Sequence, residues 1–139
     1  MEIQTQSLSW QNELAETIIA IERTALDRWA KGDPDGFLEI SAPDVVYFDP
    51  FIEHKLEGRD ALKRWYDGLR GKVQIDHYTI VDPVVRISGD VALLTFNFVS
   101  HGSEAAMRWN TTEVYQRLDS KWRIIHTHWS FAQPKLASS

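Results

Sequence analysis

Asp49 closes a short run of β-branched and aromatic residues, Val45-Val46-Tyr47-Phe48, and is followed at once by Pro50, so its carboxylate stands where a strand must stop. Tyr47, two residues earlier, alternates onto the same side and offers a phenol as hydrogen-bond donor. A carboxylate and a phenol so placed suit general acid/base chemistry. The same residues also fit a turn cap at Pro50 and a core tyrosine with a satisfied hydroxyl. A second carboxylate, Glu113, lies inside the alternating run Met107–Leu118, where it either pairs with Arg108 or Arg117 along the sheet or faces inward. If Asp49 and Glu113 share one apolar cavity, lost hydration and mutual repulsion raise at least one of their pKa values toward working pH. His126-x-His128 puts two imidazoles on one strand face, but a metal site needs a third ligand and an open position. His54, His77 and His101 have no spacing that supplies one. Ser100-His101 lacks a nucleophile elbow or any equivalent context, and there is no cysteine to act as nucleophile or zinc ligand. Neither a metal nor a cofactor is expected.

The chain that must position these groups has 139 residues, the length of one domain, and its 43% hydrophobic and 25% charged residues are ordinary for a globular fold. Fifteen Lys and Arg against twenty Asp and Glu leave a net charge of −5 with no basic block, which disfavours a nucleic-acid surface. Residues 1–7 lack the basic start and apolar run of a signal peptide, and no window approaches the ~18 apolar residues of a membrane span. A cytoplasmic protein without membrane or nucleic-acid partners is expected. Six tryptophans in so short a chain imply a core or a cavity lined by rings.

Leu14, Ile18, Ile21, Ala25 and Trp29 recur at spacings of three and four and predict a helix over residues 12–31, stopped at Gly32-Asp33-Pro34. Asp33 caps a short second helix from Pro34 to about Ser41, and Pro43 closes it. A third helix runs from about Asp60 to Arg70, with Leu62, Trp65, Tyr66 and Leu69 on one face and Gly71 as its stop. Trp65 and Tyr66 are expected to pack that helix against the sheet, with one ring available to roof a pocket. Four segments at meander spacing follow, 72–88, 90–100, 107–118 and 121–131. Helices first and antiparallel strands afterwards predict an α+β fold. Residues 1–11 and 134–139 are expected to be flexible ends of a single domain spanning residues 1–139.

Three stretches carry a family resemblance: Leu56-Glu57-Gly58-Arg59-Asp60, Asp82 to Asp90 across a turn, and Asp119-Ser120-Lys121-Trp122 through His126-Thr127-His128-Trp129-Ser130. On these the chain resembles the nuclear transport factor 2-like superfamily, with its SnoaL-like and ketosteroid isomerase-like members. Within it the likeness is strongest to the association domain of calcium/calmodulin-dependent protein kinase II. The resemblance implies a cone-shaped curved antiparallel sheet with three N-terminal helices on its concave face (an α+β roll), a pocket inside the cone, and dimerisation through the outer face. Gly32-Asp33-Pro34-Asp35-Gly36 followed by Phe48-Asp49-Pro50 resembles the isomerase stretch whose Asp is the general base, which implies that role for Asp49. The isomerase's oxyanion-donating tyrosine falls at Ala25 and its protonated Asp near Val114, so steroid isomerisation itself is not expected.

Arginines that line the kinase pocket correspond to Val99, Glu113 and Trp129. This correspondence places one alternating set inside: Thr95, Asn97 and Val99; Trp109, Thr111, Glu113 and Tyr115; Ile125, Thr127, Trp129 and Phe131. Phe96, Phe98, Trp122, Ile124, His126 and His128 then fall on the outer, apolar interface, where the two histidines serve structural hydrogen bonding across the dimer. Exchanging those arginines for a carboxylate and rings implies an acidic, aromatic pocket for a neutral or cationic organic molecule. The expected function is a homodimer, or a higher oligomer, that binds a small molecule, with acid/base chemistry of isomerase, cyclase or dehydratase type as its enzymatic form. In that form Asp49 is the base, Glu113 a proton donor or second base, and Tyr47, Asn97, Trp109, Thr111 and Trp129 bind and orient substrate. The alternative is a non-catalytic association module. The residue pattern fits both an enzyme and a binding module.

Overall fold

Leu14, Ile18, Ala25, Leu26 and Trp29 turn one side of α1 (Glu2–Ala30) into the core, as their spacing requires. The computed structural model describes residues 2–102 and 105–132. Helix α1 starts at Glu2 rather than Asn12, since the first turns contain neither Pro nor Gly to stop it. The stretch expected as a flexible N-terminal end is thus helical backbone from Glu2, while residues 134–139 lie outside the described residues. Gly32 ends the helix at φ +86°, and a Cβ there would stand 3.0 Å from the Gly71 Cα. The Gly71 N–H donates to the Gly32 carbonyl at 2.9 Å, so the stops of the first and third helices are pinned together.

Asp33 accepts the Asp35 N–H at 3.0 Å and opens α2 (Asp35–Glu39). The next strand, β1 (Ser41–Phe48), begins before Pro43, not after it. Pro43 is tolerated because the pairing of this strand shifts register between Ser41 and Val46, leaving no ladder hydrogen bond for proline to break. A two-residue β2 (Leu56–Glu57), which the sequence pattern did not predict, pairs with Val46 and Tyr47 and leads into α3 (Arg59–Leu69). The meander follows as β3 (His77–Ser88), β4 (Val91–His101), β5 (Met107–Leu118) and β6 (Lys121–Phe131).

The six strands form one curved sheet in the order β2-β1-β6-β5-β4-β3. It is mixed rather than wholly antiparallel, because β1 runs parallel to β6. Parallel neighbours need a long crossover, and here the whole stretch from β2 to β5 supplies it. Register breaks in β3 between Val81 and Val84, with Asp82 at φ +52°, and between Val114 and Tyr115 on the β5–β6 ladder add bend to the strands. Helix α1 lies against β3 and β4, and α3 against β1 and β2, so the helices cover the concave face as expected.

Candidate functional site

A cavity of about 230 Å³ lies between the helices and the concave face of the sheet. All three helices and four of the six strands deliver side chains to it, among them Trp29 from α1, Phe37 from α2, Tyr66 from α3, Phe98 from β4, Trp109 from β5 and Trp129 from β6. Tyr47 and Asp49 enter from the end of β1, and Phe51, 61% exposed, stands at the mouth. The rings are locked edge to face. Trp129 meets Phe98 at 5.4 Å and 88°, and Tyr47 meets Tyr66 at 5.6 Å and 87°.

Asp49 is the single charged group among the lining residues. Its Oδ2 accepts the Tyr47 hydroxyl at 2.6 Å and the Trp65 indole N–H at 3.1 Å, while Oδ1 accepts the Phe51 N–H at 2.7 Å. A carboxylate has about four acceptor positions, so these three bonds leave one on Oδ1. The carboxylate is held in one orientation with an acceptor to spare, the arrangement a positioned base needs. Burial pushes the Tyr47 phenol well above its usual 10, helped by the neighbouring Tyr66 and Asp49, so it stays a donor. Tyr66 is raised likewise, first by burial and then by Glu113.

Glu113 does face inward, but it does not line the cavity. It is 0% exposed and sits behind the wall beside Glu22 of α1, which is also 0% exposed. The Tyr115 hydroxyl donates to Glu22 Oε1 at 2.6 Å. Glu22 Oε2 and both Glu113 oxygens have no partner in hydrogen-bonding geometry. Burial, then the charge of Glu22, raises the Glu113 pKa well above its ordinary 4.5, and the nearby Thr127 and Trp129 offset this only in part. Burial raises Glu22 too, against smaller opposing effects from Glu113 and Tyr115. Two carboxyls that close and that dry resist ionising together, so the pair holds on to a proton above the ordinary carboxylate range.

Of the residues expected at the site, Asp49, Tyr47, Trp109 and Trp129 come together around the cavity. Thr111 faces inward but is buried behind the wall with its hydroxyl unpartnered. Asn97 is on the other side of the sheet. It is exposed, pairs with Asn110, and donates to the Asn110 side chain at 2.7 Å and to the Trp109 carbonyl at 3.1 Å. The register sets Phe98 opposite Trp109, which sends Thr95, Asn97 and Val99 outward and Phe96 and Phe98 inward. Trp122 and Ile124 are core as well, because Ile125 is an extra residue: Tyr115 pairs with Ile124 and Val114 with His126. The expected outer apolar patch of Phe96, Phe98, Trp122 and Ile124 is therefore interior. His126 and His128 do lie on the outer face, with His128 stacked on Phe48 at 4.8 Å. Ser100 lines the cavity while His101 stacks on His77 at 4.3 Å, so the two do not act together.

Tyr66 is the ring of α3 that lines the cavity, while the burial of Glu22 and the Trp65 bond to Asp49 were not foreseen. Glu22 had a readable signal: it falls on the buried stripe between Ile18 and Leu26, where a carboxylate is out of place. Apolar alternation in Ala92, Leu94, Phe96 and Phe98 likewise marks the inward face of β4. Ala25 and Val114, where the isomerase donors fall, supply no hydrogen bond here, since both side chains are hydrocarbon.

The model of the SnoaL-like domain matches residues 18–134. The chain belongs to the SnoaL-like domain family. This SnoaL-like chain is similar to a candidate ketosteroid isomerase from Parabacteroides distasonis, with 44% identity, a TM-score of 0.79, and 86% of this chain and 88% of that one covered. It is 28% identical over 121 residues to the calcium/calmodulin-dependent protein kinase type II alpha chain of Drosophila melanogaster. That match covers 81% of this chain and 23% of the kinase, so the SnoaL-like chain spans about a quarter of the relative's length. The association domain of the Caenorhabditis elegans kinase shares the fold, at 20% identity and a TM-score of 0.74 over 86% of this chain and 96% of that one. The expected superfamily likeness holds on both its isomerase-like and its association-domain side.

Proposed function

We propose that this SnoaL-like protein self-associates and binds a small organic molecule in its ring-lined cavity, and that Asp49 acts there as a base in a proton transfer of isomerase, cyclase or dehydratase type. The observation that carries this reading is Asp49 itself: a carboxylate set in the apolar wall of the cavity, oriented by three donors and left with one acceptor position on Oδ1. Tyr47 and Trp65 position it, and Tyr66, whose phenol burial keeps protonated, lines the cavity and supplies a donor for a developing oxyanion. Glu113 does not touch a ligand in this reading. With Glu22 it forms a proton-holding pair behind Tyr66. Trp109 and Trp129 shape the ligand. Scaling from a 150 Å³ cavity that binds benzene, the volume suits about nine non-hydrogen atoms. A fused steroid skeleton is far larger.

Native mass spectrometry of freshly purified protein, read for subunit number and retained organic mass, supplies the ligand lead. Asp49→Asn should then keep the fold and lose turnover by several orders of magnitude, and an unchanged rate would remove Asp49 from the chemistry. The kinase association-domain likeness favours a second reading, a non-catalytic assembly module, for which a ligand-free ring of many subunits is the expected spectrum.

A further inference from the structure

We infer that the ligand of this cavity is a small organic cation, an aromatic or alkyl ammonium of about nine non-hydrogen atoms, held between Asp49 and the rings of Trp29, Trp109, Trp129 and Tyr66. The inference rests on the reading of the cavity as a ligand site and names the class of its occupant.

Three observations lead to it. The lining residues include one carboxylate and no Lys, Arg or His, so nothing in the wall balances an anion, while Asp49 is itself unbalanced until a cation enters. The acceptor accounting at Asp49 points the same way: Tyr47, Trp65 and Phe51 fill three positions with neutral N–H and O–H donors, and the open one on Oδ1 suits an N–H of the ligand. Behind the wall the Glu22–Glu113 pair makes no ion pair among the described residues, so it supplies no positive charge to the cavity either. An anionic ligand would meet the Asp49 carboxylate with no counter-charge in the wall. A neutral alcohol would satisfy Oδ1, but only a cation also gains from the negative faces of the surrounding indoles and phenol.

The test compares three probes of nearly equal size by isothermal titration calorimetry on the full-length protein at pH 7: phenethylammonium, phenethyl alcohol and phenylacetate. The ammonium should bind at least about tenfold tighter than the alcohol, in keeping with a charge-assisted hydrogen bond, and phenylacetate should bind most weakly. Asp49→Asn should abolish the preference for the ammonium over the alcohol. Should that variant fail to fold, Tyr47→Phe serves instead: it removes a competing donor from Oδ2, and the ammonium should bind as tightly as before or tighter. Equal affinity for alcohol and ammonium, or tightest binding of phenylacetate, overturns the cation while the cavity stands as a ligand site. Binding of none of the three by a folded protein overturns both.

Discussion

Glu113 and Glu22 have a consequence that can be measured without knowing any ligand. Both carboxyls have pKa values raised above the ordinary 4.5 in the fold, mainly by burial. Between 4.5 and the raised values the folded protein holds protons that the unfolded chain releases. Their contribution to stability is therefore fully present below about pH 4.5 and falls as pH rises. His126 works in the opposite sense, since burial and His128 lower its pKa below 6.5 and favour the fold as pH rises through that value. Glu113→Gln isolates the pair: its amide can donate to the orphaned Glu22 oxygen, and it no longer resists ionisation. Relative to wild type it should gain stability as pH rises from 4.5 to 8, by about 1.4 kcal/mol for each unit by which the fold raises the lost carboxyl's pKa. Urea denaturation at the two pH values reads this directly, and a difference that does not grow with pH would show that the carboxyls are not held protonated together. Asp49 is the contrasting case, satisfied by three donors and facing the cavity. Asp49→Asn should therefore cost turnover or ligand preference and not the fold.

The helices matter mainly through where they stop. Gly32 and Gly71 meet at the ends of α1 and α3 and set the spacing of the wall that Trp29, Leu69 and Val73 form on the cavity. Gly32→Ala places a Cβ at φ +86° and 3.0 Å from backbone that cannot yield as a side-chain end would. A loss of about 1–2 kcal/mol from the backbone conformation alone is expected, with more from the contact. The cavity should loosen with it, which tryptophan fluorescence and thermal melting together would register; unchanged melting would mean that the two helix ends separate freely. Among the strands, the β6 irregularity at Ile125 does comparable work. One extra residue lets Trp122 and Ile124 point into the core at one end and Thr127 and Trp129 at the other, while His126 and His128 stay outside.

At the scale of the whole molecule, no element among the described residues covers the convex face of the sheet. Leu93, Val99, Val114 and Phe48 are half-buried there among Thr95, Thr112 and the two histidines, and Val84 on the neighbouring strand is 42% exposed. Self-association through this face accounts for such apolar groups, and it can be tested by Val114→Arg, which sets a charge at its middle. Size-exclusion chromatography with light scattering should find the wild type at least dimeric and the variant shifted toward monomer; a monomeric wild type would remove the assembly from the reading. Among the described residues no helix is long and apolar enough to cross a membrane. Much of this architecture was legible in the residues alone. The stripe of α1, the Gly stops, the third helix and the spacing of the last four strands are local, set by periodicity and turn chemistry within a few residues. Asp49 and Tyr47 were legible too, because a proline fixes the strand end and a period of two fixes the side. What depended on partners distant in sequence was not. The parallel seat of β1 on β6, the registry that turns Asn97 outward and Phe98 inward, and the bulge at Ile125 are settled by how whole strands dock. The meeting of Glu22 with Glu113, 91 positions apart, exists only once α1 lies across the sheet. Sequence period determines which residues share a face; only the packed sheet decides which face is inside, because one shifted pair reverses every side chain beyond it.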